Sequence, residues 1–256
     1  MKKAKSWIIL IVTFYFIFLI WTLPVKYVVS SLEQFKVLPP PDVFSVTGIE
    51  GAWTSGCMMK MKAGNVELDN LCWSWQPSGL LFGRIKFALA GDFANGPVSG
   101  KLAFGKNSVE LQQMQGKIPV DSLGRVYFPG VELSGVLGIE NLSLDVRDGF
   151  LTAANGQLAW LDAKVNSPYQ MELGGVMIDF STENDGILYK VVDLGGSLQV
   201  SGLGQLSPQG KYSIDGSVGA RKGSSPELAT FLQILGRPGA DGLVTVKYNG
   251  QIGRLF

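Results

Sequence analysis

The chain has 256 residues, of which 17% are charged, and a net charge of +1, so no basic excess marks it as a partner of nucleic acid. It has two cysteines and no histidine, which removes the commonest general base near neutral pH and leaves too few ligands for an ordinary zinc site. Its 33 glycines fall between short apolar runs, the pattern of many turns rather than of a disordered tail.

Residues Trp7 to Val25 carry no charge. At about 1.5 Å rise per residue they nearly cover a hydrocarbon core of roughly 30 Å. Trp7, Trp21 and Tyr27 stand where interfacial aromatics belong, and Lys26 can reach outward to the headgroups. Lys2, Lys3 and Lys5 precede the run, so the positive-inside rule keeps the N-terminus in the cytoplasm and exports the chain beyond about Lys26. The alternative is a cleavable signal peptide. Against it stand the length of the apolar run and the bulky Trp21, Leu23 and Pro24 where a cleavage site wants small residues. The expected organisation is a cytoplasmic tail over 1–6, a single transmembrane anchor over 7–27, a stalk over 28–42 and an exported β domain over 43–256, which the family resemblance given below makes periplasmic. Pro39, Pro40 and Pro41 make the end of the stalk stiff.

From Val43 the period of the apolar residues changes to two. Ile85, Phe87 and Leu89 alternate with Arg84, Lys86 and Ala88, and Leu142, Leu144 and Val146 with Ser143, Asp145 and Arg147. On the order of fourteen such runs succeed one another, which predicts a long meandering antiparallel sheet whose apolar face must be covered, by curving over on itself like a half-pipe, by a helix, or by something apolar that it binds. One stretch departs from the pattern. Ser225 is a good N-cap, Pro226 fits the first helical position, and Leu228, Phe231, Leu232 and Leu235 share one helical face. A short amphipathic helix is expected there, packed on the sheet.

The segment Cys57 to Cys72 can be registered from its residues alone. With Gly64-Asn65 as a two-residue loop, Lys62 faces Glu67 and Lys60 faces Asp69, two opposite-charge pairs. The same register sets Met61 against Leu68 and Cys57 against Cys72. A disulfide between Cys57 and Cys72 suits that distance and an oxidising compartment, with a small bulge adjusting the register; two free core cysteines are the alternative.

Catalytic chemistry is not expected. Phosphate-binding loop, dinucleotide fingerprint and nucleophile elbow are all missing from the sequence, and no metal or cofactor set is foreseen. The carboxylates, among them Glu132, Glu140, Asp145 and Asp179, are scattered, and Asp148-Gly149, Asp185-Gly186 and Asp241-Gly242 read first as turns. Asp145 and Glu172 are expected to be exposed. The tryptophans Trp53, Trp73, Trp75 and Trp160 are expected in the core.

Several strings taken together resemble a known family. Val46 to Gly56 (VTGIEGAWTSG), Leu71 to Gly83 (LCWSWQPSGLLFG), Asp148 to Trp160 (DGFLTAANGQLAW) and Leu232 to Ile252 (LQILGRPGADGLVTVKYNGQI) resemble, in order and spacing, type II secretion system protein N. The resemblance implies an accessory inner-membrane component of the apparatus that exports folded proteins from the periplasm of Gram-negative bacteria, with no catalytic residues. The chain also looks like the AsmA-type proteins, whose long sheets form a trough with an apolar inside. Two functions are then open: docking on other secretion components by sheet edge or loops, or holding lipid on the apolar face.

Overall fold

Alternation at period two with glycine-rich turns forces each run to pair with its neighbour in the chain, and in the computed structural model thirteen strands do so in strict sequence order. The structure describes residues 21–34, 44–64, 66–127, 130–183 and 186–253, together with 7, 11, 12, 15, 18 and 19. Most of the expected span over 7–27 lies outside the described residues, and among the described residues no helix is long and apolar enough to cross a membrane.

Helix α1 (Val25–Gln34) leads into β1 (Phe44–Ala52), β2 (Ser55–Ala63) and β3 (Val66–Gln76). After a 3-10 turn over Pro77–Phe82 come β4 (Ile85–Phe93), β5 (Gly96–Phe104) and β6 (Ser108–Pro119). Helix α2 (Val120–Tyr127) precedes the two longest strands, β7 (Glu132–Arg147) and β8 (Phe150–Ser167). The chain continues through β9 (Met171–Glu183), β10 (Gly186–Asp193), β11 (Leu198–Leu206), β12 (Lys211–Ala220), helix α3 (Pro226–Leu235) and β13 (Val244–Gln251). All pairings are antiparallel, and the sheet is open, with β1 and β13 at its edges.

Register sorts the two faces. One residue from each of β5 to β13 forms a continuous row: Val98, Gly116, Ile139, Leu158, Ile178, Val191, Gly202, Gly216 and Val246. A second row on the same face runs from Trp75 through Phe87, Leu102, Leu111 and Leu144 to Ala154. The opposite face carries Lys86, Lys101, Glu110, Asp145 and Asn155, and is polar.

A sheet with one apolar face must bury it, and here the C-terminal half does so by curling. Ala154, Ile187 and Leu206, on β8, β10 and β11, pack into one buried cluster with Phe180 and Tyr212 from β9 and β12. Side chains on non-adjacent strands meet only if the sheet is concave towards them. Glycines make room on that face. A side chain at Gly204 would run into the Tyr189 ring, which crosses β11 so that its hydroxyl donates to the Ser213 carbonyl at 2.9 Å. Burial raises the pKa of that phenol above its ordinary value, with a smaller push from Tyr212.

At the other end of the same strands α3 closes the curl. Its Ser225 hydroxyl accepts from the Leu228 N–H and Pro226 opens it, as expected, and Glu227 lies in its first turn. Leu228 and Leu232 are buried against Met171, Val218 and Val244. Phe231 and Leu235, expected on the packed face, are exposed, because the helix touches the sheet along a narrow line that admits only positions i and i+4. The alternation also gave no sign of α2, which lies against β7 and begins at buried Val120.

Leu228→Ala should therefore cost about 2–5 kcal/mol, the usual range for a buried leucine, and lower the melting temperature. Ile234→Ala, at an exposed position on the same helix, should stay within about 0.5 kcal/mol of the parent. Equal losses for the two in thermal unfolding would refute the packing of α3 on the sheet.

Candidate interaction surface

The β2–β3 hairpin has the register expected of it. Lys62 faces Glu67, Lys60 faces Asp69, and Cys57 faces Cys72. The two cysteines are joined as a disulfide, with Cα atoms 4.0 Å apart. The anticipated bulge is not in this pairing. It lies on the other side of β3, against β4, between Asp69 and Cys72, where Asn70 has a φ of 51°. The ion pairs also depart from simple facing: Lys60 reaches Glu67 diagonally at 3.3 Å, and Lys62 approaches the same carboxylate at 3.7 Å.

At the opposite end of this hairpin the N-terminal segment is tied to the sheet. Pro24 bridges to Ala52, the Trp53 N–H donates to the Leu23 carbonyl at 3.2 Å, and the Thr54 hydroxyl donates to the Trp21 carbonyl at 3.3 Å. The Trp21 and Trp53 rings flank Trp75 at 5.0 and 5.3 Å. Trp73 donates from its indole to the Trp53 carbonyl, and Trp160 to the Ser134 carbonyl. Trp53, Trp73, Trp75 and Trp160 are half-buried rather than in a sealed core.

Several charged groups have structural partners. Arg84 donates to Glu110 at 2.7 Å, and Gln112 donates to the same carboxylate at 2.8 Å, which satisfies the buried Glu110. Asp145, expected to be exposed, is not: its side chain is 16% accessible and accepts from Arg147 at 2.6 Å. That hydrogen bond, with the attraction between the charges, raises the Arg147 pKa further above its ordinary value. Glu172 is exposed and pairs with Lys164, whose hydrogen bond lowers its carboxyl pKa. Asp193 accepts from Arg221 and from the Val200 and Gly195 N–H groups, which pins the turn between β10 and β11. The Arg221 hydrogen bond is the main reason its pKa lies below the usual carboxylate value. Among the described residues no group of three acidic or cysteine side chains could hold a metal ion.

What remains open is an edge. The outer side of β1 is met by the Pro24 bridge and by α1. The outer side of β13 has no strand against it among the described residues. The Ile252 N–H donates to the Gly210 carbonyl at 2.8 Å, which fixes the phase of the ladder. Tyr248 and Val246 therefore bond to β12, while Thr245, Lys247 and Asn249 direct their N–H and C=O groups away from the sheet. An exposed row of this kind can accept a further strand.

A family model described as type II secretion system protein N matches residues 43–247, nearly the whole sheet. No curated protein and no solved structure gives a significant match.

Peptide mapping without reduction should yield the Cys57–Cys72 crosslink, and the double Cys→Ser variant should lose about 2 kcal/mol, the low end for a native disulfide, because the closed loop is short. Two free thiols in the isolated protein would contradict the pairing.

Proposed function

This chain belongs to the type II secretion system protein N family, and from that premise we propose that it is a non-enzymatic, accessory inner-membrane component that supports export of folded proteins from the periplasm by docking on other components. Residues 7–27 are its single anchor, residues 1–6 are cytoplasmic, and the sheet stands in the periplasm. The apolar run and the lysines before it support that topology. The tie between Pro24 and Ala52 then holds the first corner of the sheet against the membrane surface.

The observation that carries the docking reading is the outer edge of β13, against which no strand lies among the described residues. A partner strand laid beside it would take up the outward N–H and C=O groups of Thr245, Lys247 and Asn249. A second reading, in which the apolar face holds lipid, draws on one feature. Phe87, Leu102 and Leu111 form a continuous row that no helix or second layer buries among the described residues, and they are half-exposed. The C-terminal half offers less room, since its curl is filled by its own side chains and by α3. Extraction of the purified protein and mass spectrometry separate the two: lipid at near-equal molar ratio favours the second.

Asn249→Pro removes an outward N–H without breaking a bond to β12. It should abolish secretion of the system's exported proteins in a deletion strain, with protein level and melting temperature unchanged. Normal secretion by this variant would sink the edge-docking reading. For topology, a reporter enzyme active only outside the cytoplasm, fused after Phe256, should be active, and the full chain should stay with membranes through carbonate washing. A shortened soluble product in the periplasm would defeat the anchor.

A further inference from the structure

The connection between β3 and β4 presents three consecutive large apolar side chains to solvent. Leu80, Leu81 and Phe82 are 54%, 84% and 78% accessible. Ile85 and Phe104, cross-strand partners just behind them, are exposed as well. Such a run on a water-facing loop is an uncompensated hydrophobic cost unless something apolar covers it.

Its position says what. The loop leaves β3 after Gln76, next to Trp75, whose N–H donates to the Thr54 carbonyl at 2.6 Å and whose ring lies 5.0 Å from that of Trp21. Trp21 is the aromatic at the end of the apolar N-terminal run, where an interfacial tryptophan sits. The exposed triplet thus stands at the end of the sheet that meets the anchor, a few residues from the point where the chain would leave the bilayer. Lys26 and Lys106, both exposed, lie on the segments that extend beyond Trp21 and Phe104, placed for anionic headgroups.

The backbone is prepared for lipid too. Pro77 opens the turn without an N–H to satisfy, the Gly83 N–H closes on the Leu80 carbonyl at 3.0 Å, and the Arg84 N–H on the Gly79 carbonyl at 3.0 Å. Gly83 adopts a φ of 66°, which ends the turn. A closed 3-10 turn keeps polar groups paired while pushing its side chains outward, and only paired backbone is tolerated at membrane depth.

We propose that Leu80, Leu81 and Phe82 insert into the periplasmic leaflet beside the anchor, so that the chain meets one bilayer at two points and the sheet is held in a fixed orientation above it. This rests on reading residues 7–27 as a membrane span, and the test separates the two ideas. The full chain is reconstituted in phosphatidylethanolamine–phosphatidylglycerol vesicles with one nitroxide-labelled cysteine at a time: Ile11→Cys in the anchor, Leu81→Cys in the turn, Leu203→Cys on β11. The native cysteines are paired and do not compete for label. Accessibility to oxygen relative to a water-soluble nickel chelate should be several-fold higher at positions 11 and 81 than at 203. Position 11 in lipid with position 81 as aqueous as 203 would overturn the insertion while leaving the anchor standing, and would assign the patch to a protein partner. Positions 11 and 81 both aqueous would overturn the anchor, and the insertion with it.

Discussion

A one-layer sheet cannot hide its own apolar face, and the rest of this structure is arranged around that constraint. Thirteen strands in sequence order give one face of valine, isoleucine, leucine and aromatic residues and one face of charged and amide residues. Bending is the simplest remedy, since it brings side chains on alternate strands into contact without a second sheet. The bend is complete between β7 and β12, where buried clusters form at both ends of the strands and α3 covers one of them. Between β3 and β6 the face stays half-exposed, and the largest uncovered side chains collect at the end of the sheet nearest the N-terminal segment. The gradient from filled to open therefore runs from the C-terminal edge towards the N-terminal segment.

Long strands bring a second problem. A strand of 16 or 18 residues twists steadily and drifts out of alignment with its partners. Register shifts between β5 and β9 absorb the drift, and several fall where a non-glycine residue takes positive φ, as at Gln113, Asn141 and Asp162. Each extra residue re-aims the side chains beyond it, so that Leu111 and Ile139 can belong to one apolar face although simple alternation would separate their rows. Asparagine and aspartate tolerate this backbone better than branched residues do.

These two features explain what could be read in advance. Alternation and turn residues were enough for the antiparallel meander, for the β2–β3 register and for the Cys57–Cys72 pair, because each depends on neighbours in sequence. Helix α3 was legible from its cap and its spacing. Helix α2 was not: Pro119 precedes it, Gly124 interrupts it, and eight residues are too few for a helical period to stand out between two long strands. The burial of Asp145 was hidden because Arg147, two residues along the same strand and so on the same face, turns back to cover it. The tryptophan cluster joins Trp21 on the N-terminal segment to Trp75 at the end of β3, a contact that only the fold can make.

The two edges of the sheet carry different obligations. At β1 the chain returns on itself at Ala52, and α1 lies against the strand. At β13 no strand lies on the margin among the described residues, and an uncontrolled edge invites pairing with any extended chain. Lys247 lies midway along that strand, on the polar face, with its ammonium 3.0 Å from Asp215 on β12. Both groups are well exposed, so the pair itself adds little stability. Its value lies in discrimination. An incoming apolar strand would have to lie beside a charged pair, whereas a strand with a carboxylate opposite Lys247 could share the ammonium across three strands. In the proposed docking on this edge, a partner strand that carries a carboxylate opposite Lys247 is therefore favoured over an apolar one.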